Sequence, residues 1–442
     1  MKRISMTTVL ASQDHTLLSA NEATLSKIYQ RISWRILPLL LICYVFAYLD
    51  RVNIGFAKLG MQQDIGFSDA VYGLGAGIFF IGYFIFEVPS NLWLVRIGVR
   101  KTISRIMVLW GLTSTAMVLV SDPISFYTLR FFLGVFEAGF APGMILYLTY
   151  WYPQARRARV MAIVLLAGPV ANIFGGPLSS WILSNLNGMH GYAGWKWMFF
   201  LEGAPCILIG IFVFFYLVDS PNHAAWLSNS EREIILRQLD SPSNERSHTF
   251  IKALRDPRIY ILSLTYFCLI CGLYTVSFWL PTMLKEAGIN NVMHIGLYSA
   301  LPYLGAVAAM VLNARSSDRH QERRWHGALP AFAAASGLTL TAMSTASLTL
   351  ALSGIIIATI SCYAAYAVFW PRPTAYLKGT AMAGGVAFIN SIGALGGFVS
   401  PAIIGALRTF TGSLQSGLLA MASLLVLGAF TILWIRLPQH NT

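Results

Sequence analysis

The sequence predicts an all-α membrane protein of twelve transmembrane helices in two pseudo-symmetric six-helix halves. Three observations predict it. Of 442 residues, 56% are hydrophobic and only 11% are charged, about half the charged share of a soluble chain. The apolar residues fall in runs near the roughly 20 residues a helix needs to cross a bilayer. The basic residues, which give a formal net charge of +13, cluster between those runs. A soluble globule of this size would need more charge on its surface. A disordered chain would be poor in apolar residues, and a nucleic-acid binder would gather its charge on one face.

In chain order, a polar segment at residues 1–33 comes first and contains no apolar signal-peptide core. Twelve spans follow at 34–57, 70–94, 104–121, 124–148, 159–184, 195–218, 259–284, 293–314, 327–345, 347–370, 380–407 and 413–436. The loop 219–258 is the one long connection. It separates a first six-helix bundle, 34–218, from a second, 259–437. Within it, Ser228-Asn-Ser-Glu231 reads as a capping box that opens a short amphipathic helix on the inner face.

Orientation follows from the 31 Lys and Arg. Only Lys58, Lys196, Lys285 and Arg408 fall in one set of loops, and Arg51 and Arg130 fall within spans. The rest share the other side, which places both termini in the cytoplasm by the positive-inside rule. The expected location is the cell inner (plasma) membrane, and the expected state is a monomer surrounded by lipid.

The halves carry a faint repeat. Span 5 contains Phe174-Gly-Gly-Pro177 and span 11 contains Leu395-Gly-Gly-Phe398. The loop after span 2, around Arg96 and Arg100, corresponds to the loop after span 8, around Asp318 and Arg319. Such repeats place a binding site on the axis between halves. Gly73, Gly75 and Gly77 follow no strand, so they read as helix-packing positions and not as a nucleotide fingerprint. The five cysteines all lie in apolar stretches, which predicts no disulfide framework. No cofactor or metal motif is readable, and no nucleic-acid partner is expected.

Ionisable residues at bilayer depth are the most informative feature. Each costs roughly 2.5–3.5 kcal/mol on insertion scales, so it should face a cavity and carry function. They are Asp50 and Arg51 in span 1, Glu87 in span 2, Arg130 and Glu137 in span 4, and Glu202 in span 6. No histidine lies mid-span, so a proton relay must use carboxylates. Arg130 and Glu137, seven apart, share a helical face. Tyr44, Tyr48 and Arg51 share another. If spans 1 and 4 face one cavity, it holds two guanidiniums and two carboxylates. Arg51 and Arg130 would grip a substrate carboxylate, and Asp50 and Glu137 would take up protons. Glu87 is expected to pair with Arg96 or Arg100 in structure or gating, and Glu202 to be structural. Tyr44, Tyr48, Tyr83, Phe369 and Trp370 are candidate cavity aromatics. Asn390 is a candidate polar contact from the second half. Trp151, Tyr152, Trp195 and Trp197 read as an interfacial belt.

At these residues the chain resembles the major facilitator superfamily, and more closely its anion:cation symporter family. The resemblance rests on Tyr48-Leu-Asp-Arg-Val-Asn-Ile-Gly-Phe-Ala57, Phe86-Glu-Val-Pro-Ser-Asn-Leu92, Arg130-Phe-Phe-Leu-Gly-Val-Phe-Glu-Ala-Gly139 and Phe388-Ile-Asn-Ser-Ile-Gly393. It implies the major facilitator fold and proton-driven uptake of a small organic anion such as a sugar acid, hydroxy-dicarboxylate or aromatic carboxylate. It associates Asp50 and Glu137 with proton coupling, Arg51 and Arg130 with the same cluster, and Asn390 with substrate. The superfamily's loop motif has an Asp where this chain has Val95, before Arg96-Ile-Gly98, whereas the second copy keeps Asp318-Arg319. Antiport or export is the alternative, although a cation exporter would lack the two arginines. A membrane enzyme would need a nucleophile or metal cluster at depth, and a sensor would need a signalling domain. Neither is readable in the sequence.

Overall fold

Each of the twelve expected spans is a helix in the computed structural model, which describes residues 6–239, 255–344, 347–377 and 380–435. The ends of the chain at 1–5 and 436–442, and the middle of the long loop at 240–254, lie outside the described residues. In order the helices are α1 (Thr24–Ile65), α2 (Asp69–Ile97), α3 (Val99–Leu119), α4 (Pro123–Trp151), α5 (154–185), α6 (Gly194–Tyr216), α7 (Pro257–Glu286), α8 (Val292–His320), α9 (Arg324–Met343), α10 (Leu348–Thr374), α11 (Thr380–Thr411) and α12 (Gln415–Trp434). Ten are long and apolar enough to cross a membrane individually. The exceptions are α5, which opens on Arg156 and Arg157 and breaks at Leu166, and α9, whose first turn is polar.

Each terminus and breakpoint has a local cause. The helix leading into α1 already begins at Met6, inside the segment read as polar. Ser68 caps α2, and Asp122 caps α4 with Pro123 at its first position. α4 breaks immediately after Glu137, where Gly139 takes φ +87°. A Cβ there would meet the Ser90 hydroxyl at 2.5 Å, so the turn requires glycine. In the long loop, the Ser228 hydroxyl accepts from the Glu231 N–H while the Glu231 carboxylate accepts from the Ser228 N–H, closing the capping box of the helix Asn229–Leu239. That helix is tied to α1 by an Arg31–Glu231 pair at 2.5 Å.

Within the first half, α3 lies along α6; within the second, α9 lies along α12. The halves meet where α2 crosses α11 and where α5 crosses α8. Both seams need glycine. A Cβ on Gly73 would stand 2.2 Å from the Pro401 carbonyl oxygen, and one on Gly176 2.1 Å from the Ser299 hydroxyl. These contacts lie toward the face opposite the chain ends. The same face carries an ion network across the halves. Asp69 binds Lys58 at 2.7 Å and Arg408 at 2.9 Å, and Arg408 reaches Glu286 at 2.7 Å.

Several expectations change. Trp151, Tyr152 and Trp195 are buried inside the protein and do not sit in a lipid-facing belt. Trp195 donates to Asp64 at 2.7 Å, and Trp151 stacks on Trp226 of the long loop. Neither Arg96 nor Arg100 pairs with Glu87. Arg96 is exposed, and Arg100 gives its backbone N–H to Asp219 at 2.7 Å. Asp219, from the chain after α6, thus supplies a carboxylate to the α2–α3 turn that has Val95 in its motif. Asp318 pairs with Arg323 at 3.5 Å within its own turn, and Arg319 is exposed. Among the described residues, no ion pair joins these loop residues across the halves.

Arg372 is buried and donates to the carbonyls of Ile432 and Ile435 at 3.2 and 3.3 Å. Arg324 donates to the Leu433 carbonyl beside them. Two cations therefore cap the C-terminal end of α12, where unpaired carbonyls accumulate. Arg372→Met is expected to lose about 1–3 kcal/mol through carbonyls left unpaired. Thermal unfolding in detergent reads this as a lower Tm, and an unchanged Tm would dismiss the cap.

Candidate functional site

A cavity of about 120 Å³ lies between the halves. On this scale one water needs some 10–15 Å³, so the cavity has space for a cluster of waters or one small molecule. Helix α1 contributes Tyr44, Tyr48 and Arg51, and α2 contributes Phe80 and Tyr83. The second half contributes Tyr266 and Tyr274 from α7, Tyr363 and Tyr366 from α10, and Asn390 from α11. Arg51 is the one charged residue in this lining.

Helical spacing explains the set. Tyr44, Tyr48 and Arg51 repeat at four and three residues, so α1 turns one face inward. Tyr266, Ile270, Leu273 and Tyr274 do the same on α7. Tyr44 meets Tyr48 edge-on at 5.1 Å. The remaining candidate aromatics stand one layer back. Trp370 packs edge-on against Tyr266 and Phe369 stacks on it, each at 4.8 Å, so they hold a lining ring in place without lining the cavity themselves.

Arg51 is the centre of the electrostatics. One Nη pairs with the Glu137 carboxylate, and the other donates to the Tyr274 hydroxyl at 2.9 Å. Its guanidinium also lies 5.2–5.7 Å from the rings of Phe79, Tyr48 and Tyr83, within cation–π range. Its side chain is 14% exposed, against 2% for Glu137. The Arg51 Nε and one Glu137 oxygen have no protein partner.

The four-charge cavity foreseen from spacing does not form. Arg130 is fully buried and turned to α2, where it donates to the carbonyls of Gly75 and Ala76, each at 3.1 Å. The Phe79 ring lies 5.2 Å from both guanidiniums. Asp50, next to Arg51 in sequence, points away from the cavity, because consecutive helical residues are separated by 100°. It accepts from Trp110 at 2.6 Å, Ser114 at 2.9 Å, Cys206 at 3.4 Å and Asn53 at 3.4 Å. Asn390 lines the cavity and donates to Glu87 at 3.3 Å, across the halves. That contact is the partner of Glu87, in place of the loop arginines.

Sequence reasoning missed Tyr266, Tyr274, Tyr363 and Tyr366. The usable signal was tyrosine deep within a span, since interfacial tyrosines lie at span ends. It also missed the Lys58–Asp69–Arg408–Glu286 network, whose members lie on four different helices.

Comparison with known proteins supports a carrier. Residues 40–401 match the Major Facilitator Superfamily. A putative tartrate transporter of Agrobacterium vitis is 44% identical over 420 residues, covering 94% of this chain and 96% of that protein. A quinolone resistance transporter of Acinetobacter baumannii is 36% identical, covering 94% and 96%. Among solved structures, a D-xylose-proton symporter superposes with a TM-score of 0.74 over 92% of this chain and 98% of that one, at 15% identity, a likeness of fold.

Arg51→Ala would leave Glu137 a buried carboxylate without its cation. Breaking such a pair costs about 3–5 kcal/mol, whereas the double variant Arg51→Ala with Glu137→Ala should recover part of that loss. Thermal unfolding of all four forms measures the coupling, and strictly additive losses would deny the pair its role.

Proposed function

Because the chain belongs to the major facilitator superfamily, we propose that it moves a small organic anion inward together with protons, by alternating access. It is a multi-pass transporter and not an enzyme. The direction, the proton and the anion are the proposal, and the observation that carries it is the Arg51–Glu137 pair on the wall of the tyrosine-lined cavity.

An anion entering the cavity meets one guanidinium already held by one carboxylate. Two carboxylates compete for Arg51, and protonation of Glu137 removes the competitor. Arg51 then offers its donor edge, including the unpartnered Nε, to the substrate in a bidentate pair. Tyr44, Tyr48 and Tyr83 from the first half and Asn390 from the second would orient the rest of the molecule. The hydroxyls of these tyrosines suit a sugar acid or hydroxy acid, and their ring faces suit an aromatic carboxylate. A carboxylate-bearing substrate is also consistent with the relative named as a putative tartrate transporter.

Asp50 is the second proton site in this reading. Arg130 holds α4 against α2 and thereby positions Glu137, without touching the anion. The glycine seams and the Lys58 network close the face opposite the chain ends. With the basic loops placing those ends in the cytoplasm, the closed face is the outer one. The expected setting is the bacterial inner membrane.

Glu137→Gln keeps the shape of the side chain but cannot release a proton. In proteoliposomes it should lose uphill accumulation driven by a pH gradient while retaining substrate counterflow. Undiminished pH-driven uptake by this variant would refute the role. Independently, Arg51→Lys should weaken binding by tenfold or more, about 1.4 kcal/mol, through loss of the bidentate edge. Ligand-induced thermal shifts across sugar acids, dicarboxylates and aromatic acids measure that loss, and an unchanged affinity would remove Arg51 from the site.

A further inference from the structure

Glu202 on α6 has no part in the cavity, yet it lies at membrane depth and is only 1% exposed. Ser179 donates to one of its oxygens at 2.7 Å, and the Asn53 amide donates to the other at 3.0 Å. The same amide nitrogen reaches Asp50, also 1% exposed, at 3.4 Å. Asn53 therefore bridges two buried carboxylates. The groups that surround them from α1, α3, α5 and α6 are Cys43, Trp110, Ser114, Ser179 and Cys206. None is a cation. The charged residues Arg51 on α1 and Arg130 and Glu137 on α4 make no hydrogen bond or ion pair with either carboxylate.

Two full negative charges in a dry site without a cation carry a heavy desolvation cost. The donors are divided unequally: Asp50 receives four and Glu202 two. The ionised form is thus better supported at Asp50. A further atom points the same way. The Asn53 Oδ1 is buried with no hydrogen-bond partner, and a buried acceptor left unpaired is costly. Beside it, a protonated carboxyl on Glu202 would provide the missing O–H donor once the amide or carboxyl turns.

We propose that Asp50 and Glu202, bridged by Asn53, form one proton-holding pair outside the substrate cavity, with the proton residing on Glu202. Glu202 is then a member of the proton pathway as well as a packing group between α1, α5 and α6. This rests on the symport reading above and extends it to a residue that touches neither substrate nor Arg51. Only a proton is taken up or released; when Glu202 holds it, its carboxyl O–H can donate to the Asn53 Oδ1 while the Asn53 NH2 continues to donate to the carboxylates.

The test has two arms on full-length protein. In the first, Glu202→Gln imitates the protonated state permanently. Wild type should accumulate substrate about tenfold per unit of pH gradient for each coupled proton. The variant should lose that factor for one proton and keep counterflow within about twofold, since one pH unit corresponds to tenfold in equilibrium terms. Accumulation equal to wild type would overturn the role of Glu202 in transport. In the second arm, infrared spectra of purified wild type at neutral pH should contain a protonated carboxylic acid band. That band should vanish in Glu202→Gln and shift in Asn53→Ala, where the bridge is gone. If the band is absent from wild type, or is unmoved by both substitutions, the pair does not hold the proton. If Glu202→Gln fails to fold, the wild-type and Asn53→Ala spectra still decide. If wild type ignores a pH gradient altogether, the symport reading fails, and the infrared arm separately decides whether the pair holds a proton.

Discussion

A guanidinium buried at bilayer depth needs either a counter-charge or carbonyl acceptors for its N–H groups, and much of the site is arranged around that constraint. Arg51 meets it with Glu137, but the carboxylate belongs to a different helix and must be delivered. Delivery depends on α4 running as regular helix up to Glu137 and turning aside immediately after, at Gly139. It depends also on Arg130, whose bonds to the carbonyls of Gly75 and Ala76 fasten α4 to α2 two turns before the carboxylate. Four aromatic rings around Arg51 then replace part of the hydration lost on burial. Its bond to Tyr274 brings α7, and so the second half, into the same cluster.

The two faces of the molecule are built unequally, and this bears on the alternating access proposed above. Opposite the chain ends, the halves are joined by close backbone contact through glycine and by Lys58, Asp69, Arg408 and Glu286 acting as one network. Lys58 is almost wholly buried, with its ammonium 3.8 Å from the centre of the Trp279 ring. Separating this face would hydrate several charges at once, so opening it exchanges protein pairs for water in one cooperative step. Toward the other face, Asn390 to Glu87 is a single amide–carboxylate bond at 3.3 Å. A rocking carrier needs two states of nearly equal free energy, and a large closing energy on one side requires compensation elsewhere, for instance from bound substrate.

Much of this was legible in the sequence, because membrane burial enforces long apolar runs and short basic loops. The Gly-Gly pair of span 5 and that of span 11 mark equivalent crossings: Gly176 meets α8 and Gly397 meets Phe80 of α2. The inward face of α1 was legible for the same reason, since helical period fixes which residues align. What spacing could not give was rotation about the helix axis relative to a partner. Arg130 and Glu137 share a face of α4, yet one ends on main-chain carbonyls and the other on Arg51. Asp50 was drawn toward the cavity by its neighbour in sequence, although adjacency along a helix separates directions. Trp151 and Trp195 were misplaced because an indole at a span end fits either lipid or a protein partner, and their partners, Trp226 and Asp64, lie far away in the sequence.

The separation of Asp50 from Arg51 has a consequence for coupling. One helix carries a carboxylate buried against α3 and α6 and, on the next residue, a guanidinium facing the cavity. The first is anchored within its own half, through Trp110, Ser114 and Cys206; the second reaches across to Tyr274. In the proposed coupling, a change in the hydrogen bonds around Asp50 would alter the rotation that α1 prefers, and rotation of α1 would move Arg51 against Glu137. Charge state in the buried network and occupancy of the cavity would then be linked through a single element. No chain of proton-conducting groups between them is required. If Asp50 takes up the proton as proposed, it does so where substrate cannot neutralise it directly, and α1 is the element on which both would act.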